Sequence, residues 1–307
     1  MTLRITDPDA LTPCEQYDGT WFKRDDLYQP FDDVPVSGGK VRHVQKLLEP
    51  QLAELRSRHD GVVLSACGVH SPFGLILTRV AHSYALRTVL FVGATTLGSV
   101  MQKHRMLRTA TRFGATIDCS ARIAYESALI SALQKWQRAH AGRGYWVKRF
   151  SIDAAEYMHA LLHGTAAQTK NIPREVDTLV VPVGAGITAA ALMLGLRLHA
   201  PWVERVVCVQ IAGYDRRAEI DHLLRGLQST RRYEWHSTKR YAYAYQLRRT
   251  VAPGFTLDPL YEAKAHEHMV DVLHMGGRRV LFWCVGNSAL VRWSAKRVRH
   301  VRKRTRV

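Results

Sequence analysis

The sequence lacks the features that would place a protein outside the cell or in a membrane. Its five cysteines are scattered and none forms a C-x-x-C pair, which argues against a zinc site or a disulfide framework and favours a reducing compartment. The N-terminal segment does not have the basic-then-apolar layout of a signal peptide. The longest apolar run, 179–198, contains Pro182 and three glycines, so it predicts a strand, a loop and a helix rather than a membrane span. We therefore expect a cytoplasmic protein with no membrane partner.

Acidic residues are few compared with basic ones. The formal net charge is +18, and residues 292–307 hold eight Lys or Arg and no acid, which leaves +10 on the rest of the chain. Such an excess favours a polyanionic partner, nucleic acid before anionic membrane, over a merely solubilising surface. We expect duplex DNA to be bound by the basic residues Arg231, Arg232, Lys239, Arg240, Arg248, Arg249, Lys296, Arg299 and Lys303.

From residue 62 onward, short apolar runs alternate with helical stretches. Strands are predicted at Val62–Ser65, Thr88–Val92, Ala115–Ile117, Val176–Pro182, Val206–Ile211 and Val280–Cys284. Helices are predicted at Gly74–Tyr84, Ser99–Phe113 and Ala121–Ala139. Strands that alternate with helices of this length indicate parallel βαβ units, and hence an α/β fold.

Two glycine-containing turns could carry chemistry. Ser37-Gly38-Gly39-Lys40 would bring an amine close to a ligand, and Val41–Leu48 reads as a helix that fixes it, although most lysines after glycines lie on the surface. Residues 184–188 lead from a strand into a helix N-terminus, which presents free N–H groups to a phosphate. Taken alone, the second turn could equally be an ordinary connection between a strand and a helix.

Five segments in one order match the motifs of a single group of enzymes. Residues 21–42 contain K-R-D-D followed by G-G-K-V-R, and residues 67–72 form a loop with a serine before its last position. Residues 184–188 form the glycine turn, residues 241–247 carry three tyrosines, and residues 258–264 read DPLYEAK. Together these segments resemble the aminocyclopropane-carboxylate deaminases and D-cysteine desulfhydrases, which depend on pyridoxal 5'-phosphate (PLP).

This resemblance implies an α/β protein of the tryptophan-synthase-β type, fold type II. It would have two doubly wound parallel-sheet domains with PLP between them. Residues 1–46 and 149–307 would form the larger domain, and residues 47–148 a smaller inserted one. The family is commonly dimeric, so we also expect a homodimer.

The resemblance also implies a role for each site residue. Lys40 would form the Schiff base with PLP and move protons, and Tyr261 would act as an acid or base near the substrate α-carbon. Glu262 would face the pyridine nitrogen, and Ser71 would contact the substrate carboxylate or shuttle protons. Tyr245 belongs to the tyrosine-containing segment and is a further candidate catalytic residue. The phosphate would be bound by Gly184, Ala185, Gly186, Ile187 and Thr188.

The chain departs from the family pattern at several of these positions. Pro72 stands where the family has an asparagine that holds the phenolic oxygen of PLP, and Gly39 replaces the asparagine before the lysine. Ala185 and Ile187 replace a hydroxyl residue and a glycine. These changes predict either weaker cofactor binding or a fold retained without catalysis. The short connection 245–258 predicts a more open site that would suit a bulky substrate.

The PLP motifs and the positive charge together favour an amino acid attached to a thymine-type base in DNA as the substrate. The enzyme would decarboxylate this amino acid or cleave it in a related lyase step. It would be similar to the enzymes with which some bacteriophages process such bases, and it would act in the cytoplasm of the host cell. The alternatives are a lyase or deaminase of free amino acids, and a nucleic-acid-binding protein that reuses the fold without chemistry. No metal site is predicted, because the pairs His159/His163 and His266/His268 lack a metal-binding pattern.

Overall fold

The computed structural model describes residues 4–122, 125–148, 155–211, 215–227, 232–238, 251–252 and 254–286. Its strands in chain order are β1 (Cys14–Tyr17), β2 (Thr20–Arg24), β3 (Val62–Ala66), β4 (Arg87–Phe91), β5 (Ala115–Asp118), β6 (Tyr145–Trp146), β7 (Thr178–Val183), β8 (Arg205–Gln210), β9 (Glu234–Ser237), β10 (Val251–Ala252), β11 (Phe255–Thr256) and β12 (Val280–Cys284). Its helices are α1 (Gly39–Leu48), α2 (Leu52–Arg58), α3 (Phe73–Ser83), α4 (Leu97–Lys103), α5 (Arg105–Arg112), α6 (Glu126–Ala139), α7 (Ala155–Ala160), α8 (Ile187–His199), α9 (Arg217–Gly226) and α10 (Glu262–Asp271). Within these ranges, none of the helices is long and apolar enough to cross a membrane.

The strands form two main sheets. The larger has the order β1-β2-β12-β7-β8-β9, in which only the edge strand β1 is antiparallel to its neighbour. The smaller has the order β5-β4-β3-β6 and is parallel throughout. Every residue of the apolar strand β7 is buried, as expected for a strand covered on both faces. The predicted α/β class with two parallel sheets is confirmed.

The smaller sheet is inserted between strands of the larger one. Its strands lie between residues 62 and 146, whereas the larger sheet takes strands from before and after that stretch. The predicted domain boundary between residues 46 and 47 lies within α1, and the division into two domains stays a prediction. Residues Val41 and Leu47 of this helix share one hydrophobic core with Val63 and Leu90 of the smaller sheet.

Two helices differ from those predicted. The stretch 99–113 is not one helix, because His104 has an extended backbone (φ −115°, ψ 90°) that separates α4 from α5. The helix predicted from Ala121 begins only at Glu126. Arg122 has a positive φ of 57°, which a right-handed helix cannot include, and Tyr125 is extended.

Candidate active site

Lys40 lies in the first turn of α1, where a glycine turn leads into the helix. Gly38 has a φ of 86°, and a Cβ there would overlap the carbonyl oxygen of Val285 at the end of β12. The Gly38 N–H donates to the carbonyl of Tyr28 at 2.9 Å. Only glycine combines this φ with such a close approach, so the turn fixes where Lys40 leaves the backbone. The helix begins two residues before the predicted start at Val41.

A buried ion pair between Arg42 and Asp25 also holds α1 in place. Arg42 Nη1 lies 2.7 Å from Asp25 Oδ1, and both side chains are inaccessible to water. Arg42 Nε donates to the carbonyl of Pro8 at 3.0 Å, and its guanidinium lies 4.1 Å from the Tyr28 ring centroid. A Cβ on Gly39 would come 2.7 Å from Asp25 Oδ2, which accounts for the absence of an asparagine there. The sequence motif contained Asp25 and Arg42, but no role was predicted for them.

The second turn, residues 184–186, lies between β7 and α8. Gly186 has a φ of 91°, and a Cβ there would approach Ile220 Cγ1 to 2.8 Å. The first N–H groups of α8 have no partner inside the helix, and the helix dipole adds positive potential at this end. Ala185 and Ile187 change only side chains, so the backbone donors of an anion site remain.

Tyr261 joins the two turns. Lys40 Nζ lies 5.1 Å from the centroid of the Tyr261 ring. A Cβ on Gly184 would come 2.9 Å from Cε1 of the same ring. The ring therefore packs against the glycine turn while the lysine amine lies over it. Three residues that are far apart in the sequence meet at one place.

The segment 258–262 is a turn held by its own carboxylates. Asp258 Oδ1 accepts the N–H of Tyr261 at 2.7 Å. The buried Glu262 carboxylate accepts the N–H of Asp258 at 2.8 Å and the N–H of Gly286 at 2.6 Å. Burial raises the pKa of Glu262 well above its usual value, and the nearby carboxylates of Asp258 and Asp26 raise it further. Glu262 thus holds the Tyr261 turn against the end of β12, and its role toward a pyridine nitrogen stays a prediction.

Solved structures share the fold over nearly the whole chain. A crystal structure of an aminocyclopropane-carboxylate deaminase homologue matches with a TM-score of 0.67 at 19% identity, covering 92% of this chain and 91% of that one. Threonine deaminase isoform 2 from Solanum lycopersicum matches with a TM-score of 0.61 at 11% identity, covering 95% and 82%. This is the fold of the type II PLP enzymes. The fold family predicted from the motifs is confirmed.

Two curated proteins are similar in sequence. The O-seryl-dTMP PLP-dependent decarboxylase of Salmonella phage ViI is 24% identical over 207 residues, 61% of this chain but only 47% of the phage protein. The chain thus spans about half the length of that relative. A protein of Pyrococcus horikoshii, named for a proposed 1-aminocyclopropane-1-carboxylate deaminase activity, is 25% identical over 284 residues, 85% of this chain and 82% of that protein. No model of a known protein family matches the chain.

The serine loop of this type II fold lies at the carboxyl end of β3. Ser71 Oγ accepts the N–H of Phe73 at 3.2 Å, and the Ser71 N–H donates to the carbonyl of Gly68 at 2.9 Å. The buried Pro72 enters α3 with a φ of −68°, the value that proline imposes and a helix start accepts. The start of α3 therefore accommodates a proline where the family has an asparagine. Contact of Ser71 with a substrate carboxylate stays a prediction.

Several residues predicted to act in the site or on DNA lie outside the described part of the chain. Arg232 is described and is exposed, as a phosphate contact would need. The predicted residues outside the described part are Tyr245, Arg231, Lys239, Arg240, Arg248, Arg249, Lys296, Arg299 and Lys303.

Proposed function

We propose that this chain is a PLP-dependent lyase that breaks a bond at the α-carbon of an amino acid attached to a thymine-type base in DNA. The proposal that the chain is a PLP enzyme depends on the contacts of Tyr261 with Lys40 and Gly184. Its ring lies 5.1 Å from the Lys40 amine and packs against Gly184 in the turn before α8. A phosphorylated aldehyde cofactor needs an amine for its aldehyde and N–H donors for its phosphate, and the Tyr261 ring contacts both elements that carry these groups.

The groups at the site fit PLP. Lys40 supplies the amine for the aldehyde, and the backbone N–H groups that follow Gly186 supply donors for the phosphate. Glycine at 184 and 186 keeps this cradle free of side chains that would meet Tyr261 and Ile220. Neither Pro72 nor Ile187 removes any of these groups, so the departures from the family pattern are compatible with binding.

When bound, PLP supplies a conjugated ring that stabilises negative charge at the substrate α-carbon. Lys40 holds the cofactor and is the amine available to move a proton at that carbon. The Tyr261 phenol lies beside it as a second proton donor or acceptor. Asp25 and Arg42 keep α1, and with it Lys40, in place through their buried ion pair. The turn 258–262 orients Tyr261 by its hydrogen bonds to the backbone.

Two observations support a substrate attached to DNA. One relative is named as a decarboxylase of O-seryl-dTMP, an amino acid joined to a thymidine nucleotide. The net charge of +18 suits a polyanion better than a small neutral amino acid. In the decarboxylation, the bond from the α-carbon to its carboxylate breaks, carbon dioxide leaves, and the α-carbon takes up a proton.

A free amino-acid deaminase is the second candidate, favoured by the D-P-L-Y-E-A-K motif. The relative named for a deaminase activity matches along 85% of this chain. Such a reaction releases ammonia rather than carbon dioxide. The two products therefore separate the candidates.

The cofactor part is tested by incubating the protein with PLP, reducing with borohydride and locating the modified lysine by mass spectrometry. We expect the modification on Lys40 and its loss in Lys40→Ala. Lys46→Ala is the matched control, because Lys46 lies on the same helix but pairs with Asp9 at 2.6 Å. Labelling of a different lysine, or equal labelling in Lys40→Ala, would disprove the assignment.

The substrate part is tested with three compounds offered to the PLP-loaded protein. These are a duplex carrying O-seryl thymidine, free O-seryl-dTMP and 1-aminocyclopropane-1-carboxylate. Release of carbon dioxide from the duplex, and faster from the duplex than from the nucleotide, is expected. Ammonia from the cyclopropane compound alone would replace this proposal with the deaminase.

A further inference from the structure

The positive charge of the chain is concentrated in two places. Residues 61–148 hold eleven Lys or Arg against only Asp118 and Glu126, a net charge of +9. Residues 292–307 hold eight more basic residues, so the remainder of the chain carries only +1 of the +18. Not one acid occurs from residue 61 to residue 117. Most of the excess positive charge of the described structure therefore lies on the smaller domain.

Helix α5 presents a row of arginines on this domain. Arg105, Arg108 and Arg112 follow the i, i+3, i+7 spacing that places side chains on one helix face, and all three are exposed. The opposite face buries Leu107 and Ala110 in the domain core. Among the described residues, none of these arginines forms an ion pair with a carboxylate, whereas Arg58, Arg143, Arg205 and Arg217 elsewhere on the surface do.

The row begins beside the serine loop of the candidate site. His104, the residue before α5, packs its ring edge-on against that of His70 with the centroids 5.0 Å apart. His70 belongs to the loop 67–72, which follows β3 and contains Ser71. In open α/β sheets, ligands bind at the carboxyl ends of the strands, which is where this loop lies. A polymer that enters the site along this edge would meet Arg105 first.

An exposed aromatic ring lies at the same edge of the sheet. Tyr125 follows β5 and precedes α6, and it is 69% exposed, the most exposed large hydrophobic side chain among the described residues. Arg122, also exposed, lies close to it in sequence. Basic residues next to an exposed ring are the combination that binds a phosphate backbone and stacks on a base.

We infer that the smaller domain binds the backbone of the DNA that carries the substrate, with Arg105, Arg108 and Arg112 on its phosphates and Tyr125 against a base. This rests on the proposed function for the identity of the polymer. Seven residues of helix span about 10 Å, and one DNA strand carries a phosphate every 3.4 Å of axis, so the row faces roughly three phosphates.

The test measures binding of a fluorescent DNA duplex to the full chain by anisotropy over a range of salt concentrations. The variant Arg105→Gln/Arg108→Gln/Arg112→Gln is compared with Arg58→Gln/Arg205→Gln/Arg217→Gln, which removes the same charge from exposed, paired arginines outside residues 61–148. The slope of log K against log salt is negative, and its steepness grows with the number of phosphate contacts. Loss of three contacts should make the slope less negative by about 3 in the first variant only. Tyr125→Ala should weaken binding to single-stranded DNA more than to duplex.

The outcomes separate this inference from the proposed function. Equal slopes for the two triple variants would overturn the assignment of the surface, whatever the cofactor does. Loss of binding to phosphatidylserine vesicles but not to DNA in the α5 variant would also overturn it, in favour of a membrane surface. Failure of the proposed function shows instead as absent PLP labelling of Lys40 in the unchanged protein, a measurement that involves no DNA.

Discussion

Asp25 and Arg42 form an ion pair in which both side chains are buried, with Asp25 Oδ1 2.7 Å from Arg42 Nη1. Asp25 Oδ2 and Arg42 Nη2 are buried without a hydrogen-bond partner among the described residues, so the pair is only partly satisfied. Such pairs contribute little net stability, but leaving one charge buried alone is costly. The pair therefore acts as a positional constraint on α1, which carries Lys40.

Replacing Arg42 with methionine should destabilise the protein by about 3–5 kcal/mol, because the Asp25 charge is left buried without its partner. Urea denaturation of the cofactor-free protein measures this. Arg58→Met is the matched control, since Arg58 and Glu54 form an exposed pair, and it should cost less than about 1 kcal/mol. Asp25→Asn/Arg42→Met should recover part of the loss. Equal effects of Arg42→Met and Arg58→Met would contradict the positional role.

Gly39→Ala and Gly98→Ala should change stability in opposite directions. A Cβ on Gly39 would lie 2.7 Å from Asp25 Oδ2, which the Arg42 pair prevents from moving away, so we expect a loss of roughly 1–3 kcal/mol. Gly98 also lies in the first turn of a helix, but nothing lies within 4 Å of its Cβ position. There alanine should gain up to about 1 kcal/mol. Thermal unfolding of both variants checks the signs, and a stabilising Gly39→Ala would refute the overlap.

The motifs place Lys40, Gly184 and Tyr261 in one predicted site, and the structure brings these three residues close together, while the role of each stays a prediction. Lys40, the turn before α8 and Tyr261 converge because each follows a strand or begins a helix at the carboxyl edge of a parallel sheet, where the fold brings such segments together. Strand β12 was predicted with its observed bounds, because its five apolar residues are buried on both faces. Buried parallel strands carry a strong local signal.

Other features depend on contacts that the sequence does not show. His104 separates α4 from α5 although neither glycine nor proline occurs there, and its ring packs on His70 from another loop. Strand β2 ends in two adjacent cationic residues, yet Lys23 is fully buried, with Nζ donating to the carbonyl of Thr12 and to Asn171 Oδ1, both at 2.6 Å. Long-range partners of this kind override the local pattern.

Gly184→Ala should impair PLP loading through the Tyr261 ring. The added Cβ would lie 2.9 Å from Tyr261 Cε1, so the ring must shift away from the turn, which changes its position relative to Lys40. We expect the Kd for PLP, titrated by absorbance, to rise by about tenfold or more, equivalent to at least ~1.4 kcal/mol. The same substitution made in a Tyr261→Ala background should cost much less, because no ring is left to displace. Equal losses in both backgrounds would show that the ring does not transmit the effect.

His43 should set part of the acid sensitivity of the fold. Burial lowers the pKa of His43 from 6.5 to about 4, and its Nδ1 is buried without a hydrogen-bond partner among the described residues. A proton added to the ring would meet no acceptor there, so the unfolded chain binds it first. Stability from this group is present above pH 6.5 and is lost as pH falls toward 4, by about 3 kcal/mol in all.

His43→Gln isolates that contribution, because glutamine can keep a hydrogen bond to the backbone of Ala160 but cannot bind a proton in this range. The free energy of unfolding is measured for both proteins from neutral pH down to pH 4, and the difference between them is plotted. Asp26 and Glu262, whose pKa values burial raises, titrate in both proteins with the opposite sign and cancel in that difference. The unchanged protein should lose stability relative to the variant as pH falls below about 6.5, and a difference that stays constant with pH would mean that His43 already takes up its proton in the folded state.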